Sequence, residues 1–287
     1  MKTPDQLIDR LIELAFSEDI GDGDATTLST IPAEAMGRQR LIVKEEGILA
    51  GVQAARRVFE LFDPTMTMEV LIEDGSRVRP GDVAFVVTGP VRSLLQTERT
   101  MLNIMQRMSG IATLTARYQA ELDGTGAKVL DTRKTTPGMR MLEKQAVAIG
   151  GGTNHRIGLF DMILIKDNHV DFAGGIDKAV ASAREWCRKE GKDLKIEVEV
   201  RDTAEIDAAL AAGVDRIMLD NFTPERTVEA VRHIRAANPD VEIESSGGIT
   251  LENLRQYGLA GVDYISVGAL THSVKGLDMS FKAVGEK

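Results

Sequence analysis

The chain has 287 residues, 43% of them hydrophobic and 28% charged, with a formal net charge of −9. That is enough for one large domain or two modest ones around a substantial core, while the acidic balance argues against non-specific nucleic-acid binding and the 4% aromatic content against single-strand stacking platforms. No apolar run reaches the roughly 18 residues of a membrane span, and the single cysteine, Cys187 in a charged run, excludes an intramolecular disulfide and reads as a bystander, so a cytoplasmic address fits.

Residues 1–111 read as one unit. LIDRLIELAFSED spaces its apolar residues as a helix and ends at GDGD, an amphipathic, acid-bearing start unlike a signal peptide. GRQRLIVKEEGILAG and MTMEVLIEDGSRVRPGDVAFVVTG read as strands joined by glycine turns, with VQAARRVFELF a helix between them. VRSLLQTERTMLNIMQRMSGIATLTARYQAEL then predicts a long helix, with a break expected near Gly110. Arg99 lies in that helix and by itself reads as a solvated surface residue.

From about residue 112 the rhythm changes. Short apolar runs, KVLD, MILIKD, KIEVEV, RIMLD, VEIESSGG and YISVG, alternate with helical segments such as IDKAVASAREWCRKE, TAEIDAALAAG, PERTVEAVRHIRAAN and LENLRQYGLAG. Strand-helix alternation predicts parallel strands with right-handed crossovers. All six runs deliver polar or glycine chemistry toward their C-terminal ends: Asp131 with Arg133 and Lys134 beyond it, Lys166, Glu197 and Glu199 carried by the third run, Asp220, Ser246-Gly247-Gly248, and Gly268. One polar strand end is a strand leaving the core. Six of them, converging on one face of a parallel barrel, predict an active site.

The converging groups sort by charge. Arg133, Lys134, His155, Arg156 and Lys166 are cationic or can become so, which in an acidic protein predicts a polyanionic substrate. The small-residue loops around Ser246-Gly247-Gly248 and Val267-Gly268-Ala269 follow the last two strands, where barrels often bind phosphate through backbone N–H groups. Glu199 and Asp220 then read as ligands for Mg²⁺ carried by a phosphate substrate, an ion that favours oxygen donors. Structural pairing with the nearby lysines is the competing explanation for both carboxylates. Glu197, two residues before Glu199, shares its face but sits deeper.

The ordered set ERTMLN, SGIAT, DTRKTTPG, GGGTNHRIGLFD, LIKDNH, EVEV, LDN, ESSGG and VGALTHS resembles the quinolinate phosphoribosyltransferase family over nearly the whole chain. The resemblance implies an α/β fold: an N-terminal α/β sandwich (1–111, with a tail at about 273–287 returning to it) and an incomplete parallel α/β barrel of fewer than eight strands (112–272). It implies a homodimer using Mg²⁺, quinolinate and 5-phosphoribosyl 1-diphosphate, and forming nicotinate mononucleotide, diphosphate and CO₂. Carried over residue by residue, Arg99 reaches quinolinate from the neighbouring subunit. Thr132, Arg133, Lys134, His155, Arg156 and Lys166 resemble the quinolinate and phosphoribosyl contacts. Glu199 and Asp220 match the acidic residues near ribose and metal-diphosphate, and with Lys134 they are the expected catalytic set. Ser246, Gly247, Gly248, Val267, Gly268 and Ala269 match the 5′-phosphate loops. Two alternatives stand beside this: a molybdenum-transport-associated paralogue of the same fold, and a biotinyl- or lipoyl-like carrier suggested by LIEDGSRVRPGDVAFVVTG. The carrier reading lacks a modifiable lysine anywhere between Leu71 and Gly89.

Overall fold

The computed structural model describes residues 2–285. In chain order its elements are α1 (Pro4–Ile20), α2 (Ala25–Thr30), β1 (Met36–Val43), β2 (Gly47–Ile48), α3 (Val52–Phe62), β3 (Thr67–Val70), β4 (Arg77–Val78), β5 (Val83–Pro90), α4 (Val91–Glu121), β6 (Lys128–Leu130), α5 (Arg140–Ile149) and β7 (Ile163–Ile165). There follow α6 (Asp167–Ala173), α7 (Ile176–Glu190), β8 (Ile196–Val200), α8 (Thr203–Ala212), β9 (Arg216–Asp220), α9 (Pro224–Ala237), β10 (Glu242–Ser246), α10 (Leu254–Leu259), β11 (Tyr264–Ser266), α11 (Ala269–His272) and β12 (Met279–Ala283).

Two compact units divide the chain. The first gathers the described residues of Met1–Ala116, Thr135–Gly151 and Leu270–Lys287, and the second gathers Arg117–Lys134 and Gly152–Ala269. The sequence sets its division at 111/112. In the structure the division falls inside α4, and the segment carrying α5 groups with the first unit.

In the first unit, α1 starts at a reciprocal cap. The Thr3 hydroxyl accepts the Gln6 amide, the Gln6 side chain accepts the Thr3 amide, and Pro4 occupies the first helical position. A four-stranded antiparallel sheet runs in the order β12-β1-β5-β3, so the last strand pairs with the first, with Phe281 opposite Leu41. Alternation along β1 buries Gln39, Leu41 and Val43. Beneath them the Phe59, Phe85 and Phe281 rings pack with centroids 6.1 to 6.2 Å apart.

The break expected near Gly110 does not occur: α4 runs unbroken through it. Gly110 is small for a different reason. A Cβ there would collide with the Lys275 carbonyl oxygen, so the glycine admits a close backbone approach.

The second unit holds a six-stranded parallel sheet in the order β6-β11-β10-β9-β8-β7, which matches the six runs read from the sequence and the expected incomplete barrel. β8 is buried at every position, as a parallel strand covered on both faces should be. Alternation then sets one face of the sheet apart. The register puts Glu197 opposite Arg216, Glu199 opposite Met218, Glu244 opposite both Met218 and Tyr264, and Ser246 opposite Asp220. All these residues share that face, whereas Val198, Ile217, Leu219, Ile243 and Ile265 occupy the other. A face filled with carboxylates and an arginine at positions where barrels place Val, Ile and Leu marks a polar interior.

Candidate functional site

The second unit encloses a cavity of about 300 Å³ lined by Thr132, Arg133, Lys134, His155, Arg156 and Lys166, with Leu164, Met218, Ser246 and Ser266 between them. Its lining comes from strands β7, β9, β10 and β11, from the segment after β6 and from the loop before β7, so three of the six strand ends singled out in the sequence, those at Arg133–Lys134, Lys166 and Ser246, meet here, while Glu199, Asp220 and Gly268 are not in this lining. Seven of the sequence-predicted site residues therefore meet in one place: Thr132, Arg133, Lys134, His155, Arg156, Lys166 and Ser246.

Each cation is held by local structure. After β6, the Thr132 hydroxyl accepts the Lys134 amide at 3.1 Å and turns the chain so that Arg133 and Lys134 stand exposed. Buried Asp131 accepts the His155 amide at 2.8 Å, tying the NHR loop to the end of β6. The loop is closed by Asp161, whose carboxylate accepts the Ile157 and Gly158 amides at 2.7 and 2.8 Å. The Arg156 guanidinium donates to the Met162 carbonyl at 3.3 Å. Burial and the like charge of Arg133 both push Arg156 below its ordinary value, as expected for cations gathered before their anion arrives.

Lys166 ends β7, and the following residues start α6 rather than trailing into solvent. The Lys166 amide donates to His169 Nδ1 at 3.0 Å, which satisfies one donor at the start of that helix. The Lys166 ammonium lies 2.6 Å from Glu199 Oε2, on a carboxylate only 10% exposed. Glu199 and Asp220 end adjacent strands β8 and β9, and Asp220 Oδ2 accepts the Asn221 amide side chain at 2.7 Å. Their donor set is oxygen only, on the same face of the sheet, and it fits Mg²⁺, which takes one or two carboxylates alongside substrate phosphates.

The small-residue loops divide. Gly247 and Gly248 have φ of +96° and +62°, and a Cβ on Gly247 would strike the Asn221 side chain. Asn221 is the one non-glycine residue with positive φ among the described residues, and its amide donates to the Ser246 carbonyl at 2.8 Å. The LDN and SSGG segments thus lock each other's backbone. Val267 differs: its amide donates to the Leu130 carbonyl at 2.9 Å inside the sheet, so that N–H serves strand pairing. Gly268 and Ala269 follow it at the start of α11.

Arg99 lies elsewhere. It is exposed on α4 in the first unit and lines a depression of about 360 Å³ with Glu18, Asp19, Asn103 and Arg107. It is absent from the lining of the second unit's cavity.

Below the cavity lies a buried polar cluster that the sequence reading mostly passed over. His155 Nε2 is 3.1 Å from Glu197 Oε2 and 3.4 Å from Glu244 Oε2. The Ser266 hydroxyl donates to the other oxygen of Glu244. Burial pushes Glu197 up to about 7; burial together with the neighbouring Glu197 charge pushes Glu244 up to about 8. One imidazole and two carboxylates within 4.8 Å of one another suit a metal ion in number. Arg216, however, places Nη1 3.2 Å from Glu244 Oε2, so a fixed cation already compensates the cluster. Glu244 and Ser266 could have been found by stepping back two residues from Ser246 and Gly268 along their strands.

Comparison with known proteins agrees across both units. Residues 24–109 match the family model described as quinolinate phosphoribosyl transferase, N-terminal domain, and residues 111–282 match the corresponding C-terminal domain. Quinolinate phosphoribosyltransferase (decarboxylating) 1b of Nicotiana tabacum is 45% identical over 95% of this chain and 81% of its own. The probable nicotinate-nucleotide pyrophosphorylase (carboxylating) of Bacillus subtilis is 45% identical over 94% and 91%. Among solved structures, NadC from Streptococcus pyogenes superposes with a TM-score of 0.90 at 40% identity, covering 99% of both chains. The nicotinate-nucleotide pyrophosphorylase from Francisella tularensis gives 0.91 at 39%, covering 99% and 98%.

Proposed function

The chain belongs to the quinolinate phosphoribosyltransferase family, and from that premise we propose how its own residues carry out the reaction. The enzyme is a pentosyltransferase: it moves phosphoribosyl from 5-phosphoribosyl 1-diphosphate to quinolinate with loss of CO₂, yielding nicotinate mononucleotide and diphosphate for NAD biosynthesis. The family match spans both units and favours neither the molybdenum-associated paralogue nor a carrier module.

The observation that carries the site assignment is the gathering of Arg133, Lys134, Arg156 and Lys166 around one cavity of about 300 Å³. Quinolinate is a dianion at neutral pH, and a charge-assisted hydrogen bond contributes about 1.5 to 3 kcal/mol. Planar Arg133 and Arg156 suit its carboxylates, and Lys134 and Lys166 supply compact charges near the reacting ends. Ser246, Gly247 and Gly248 take the 5′-phosphate, with Gly268 and Ala269 completing the loop.

Glu199 and Asp220 hold the ribose and would hold Mg²⁺. The chemistry such an ion supplies is neutralisation of charge on the departing diphosphate. As the anomeric carbon loses diphosphate it gains oxocarbenium character, and the two carboxylates are placed to favour that charge. Once the pyridine nitrogen bears ribose it is positive, so loss of the 2-carboxylate leaves a carbanion beside a cation. The residues need only hold this intermediate until the carbanion takes up a proton from water, which completes nicotinate mononucleotide.

Arg99 acts in a second copy's cavity. Support for this comes from its exposed place in the first unit and from the resemblance of its ERT motif to the family's. A twofold homodimer returns to each site what the other donates. Arg99→Ala and Lys134→Ala proteins should each be nearly inactive in quinolinate turnover. After subunit exchange, half the dimers are mixed and each has one intact site in two, so activity should recover to about a quarter of wild type. Verified mixed dimers without recovered activity would show that Arg99 does not act across an interface.

A further inference from the structure

Both ring nitrogens of His155 are engaged within its own unit. Nδ1 accepts the Arg156 backbone amide at 2.6 Å, and Nε2 faces Glu197 at 3.1 Å and Glu244 at 3.4 Å. A backbone N–H can only donate, so Nδ1 carries no proton. The one proton of the neutral ring therefore belongs on Nε2, the nitrogen beside Glu197 and Glu244. The other charged groups around the residue agree with this. Asp131 takes the His155 amide, Arg216 approaches the same Glu244 oxygen that Nε2 faces and so favours an uncharged ring, and Arg156 follows in the chain. The side chain is 6% exposed, which leaves little room to turn.

We propose that Glu197 and Glu244 are positioning residues that hold His155 as a neutral, Nε2-protonated imidazole, so that it shapes the quinolinate pocket without lending it charge. The sequence counts His155 among the cations of the site. The geometry removes it from them and assigns the positive charge to Arg133, Lys134, Arg156 and Lys166. His155 then contributes a fixed wall of ring carbons against which the pyridine ring is set, and its orientation depends on two carboxylates that never touch substrate. Fixing a wall of this kind matters because misplacement of a bound reactant by about 1 Å can cost on the order of a hundredfold in rate.

This inference rests on the functional reading only for what fills the pocket, and the state of the ring can be read with or without turnover. The chain has four histidines, so ¹⁵N-labelled histidine gives a resolvable set and His155→Asn assigns the resonances of interest. At neutral pH the free protein should show His155 Nδ1 unprotonated and Nε2 protonated, and saturating phthalate should leave both unchanged. A proton on Nδ1, in the free protein or with phthalate bound, would overturn the proposal. Glu197→Leu removes an acceptor, whereas Glu197→Gln keeps an amide oxygen in its place. The leucine variant should shift the His155 Nε2 resonance while Nδ1, still accepting from the Arg156 amide, stays unprotonated, and should lower kcat/KM for quinolinate roughly ten- to a hundredfold; the glutamine variant should recover most of both. A leucine variant with the wild-type spectrum and wild-type rate would contradict it. Should that variant fail to fold, the wild-type spectra decide the question.

Discussion

Lys166 Nζ sits 2.6 Å from Glu199 Oε2, so the cation just past β7 is neutralised by a carboxylate near the end of β8. The two groups, proposed for different substrates, form one ion pair. On the proposed roles, quinolinate competes with Glu199 for Lys166. Glu199→Gln should leave quinolinate binding nearly intact, because the lysine is released, while turnover falls steeply. Asp220→Asn should behave alike. Initial rates across a Mg²⁺ titration check this, and full activity in both variants at every Mg²⁺ concentration would remove the assigned role.

The cationic cavity makes a prediction about substrate charge. Nicotinate lacks the 2-carboxylate and should be a poor substrate, while phthalate, which keeps both carboxylates, should compete with quinolinate. Arg133→Ala and Arg156→Ala should each weaken quinolinate binding by about 1.5 to 3 kcal/mol, on the order of ten- to a hundredfold. Calorimetric titration with quinolinate reads this directly.

Gly247 and Gly248 should differ when replaced. Gly247 has φ of +96° and no room beside Asn221, whereas a Cβ on Gly248 meets nothing within 4 Å. Gly247→Ala should cost about 1 to 2 kcal/mol from the backbone alone, plus the displacement of Asn221. It should also raise KM for 5-phosphoribosyl 1-diphosphate, and Gly248→Ala should do less of both. Thermal denaturation with steady-state kinetics separates the two.

Glu244 gives the fold a pH dependence. Burial raises its carboxyl from 4.5 to about 8. Between those values the folded chain keeps a proton that the unfolded chain releases, so this contribution to stability is complete below about 4.5 and is lost as pH rises through about 8. The melting temperature should fall from mildly acid to mildly alkaline pH, and Glu244→Gln should flatten that slope. A Glu244→Gln protein with the wild-type slope would assign the dependence to other groups.

Much of this was legible in the sequence because strand-helix alternation and polar strand ends are local signals. The six strands, α7 and the strand-end position of Lys166 follow from period and termination alone. The unbroken α4 was not legible, because Gly110 answers to the distant Lys275 carbonyl, and no local pattern reports a long-range close approach. α6 was missed because KDNH looks like a strand running into solvent, although His169 turns back to cap the Lys166 amide. His155 was grouped with the cations because its residue type permits a charge, and the neutral state we propose for it rests on the placement of the Arg156 amide, which the sequence does not report. Arg99 carries no local signal and depended on the motif resemblance.

The account's central claim is decarboxylating phosphoribosyl transfer to quinolinate. Quinolinate carrying ¹³C in its 2-carboxylate, supplied with 5-phosphoribosyl 1-diphosphate and Mg²⁺, tests it most directly. The account predicts that the label leaves wholly as CO₂, in step with equal amounts of unlabelled nicotinate mononucleotide and diphosphate. Label retained in the nucleotide, or nicotinate turned over as readily as quinolinate, would contradict it.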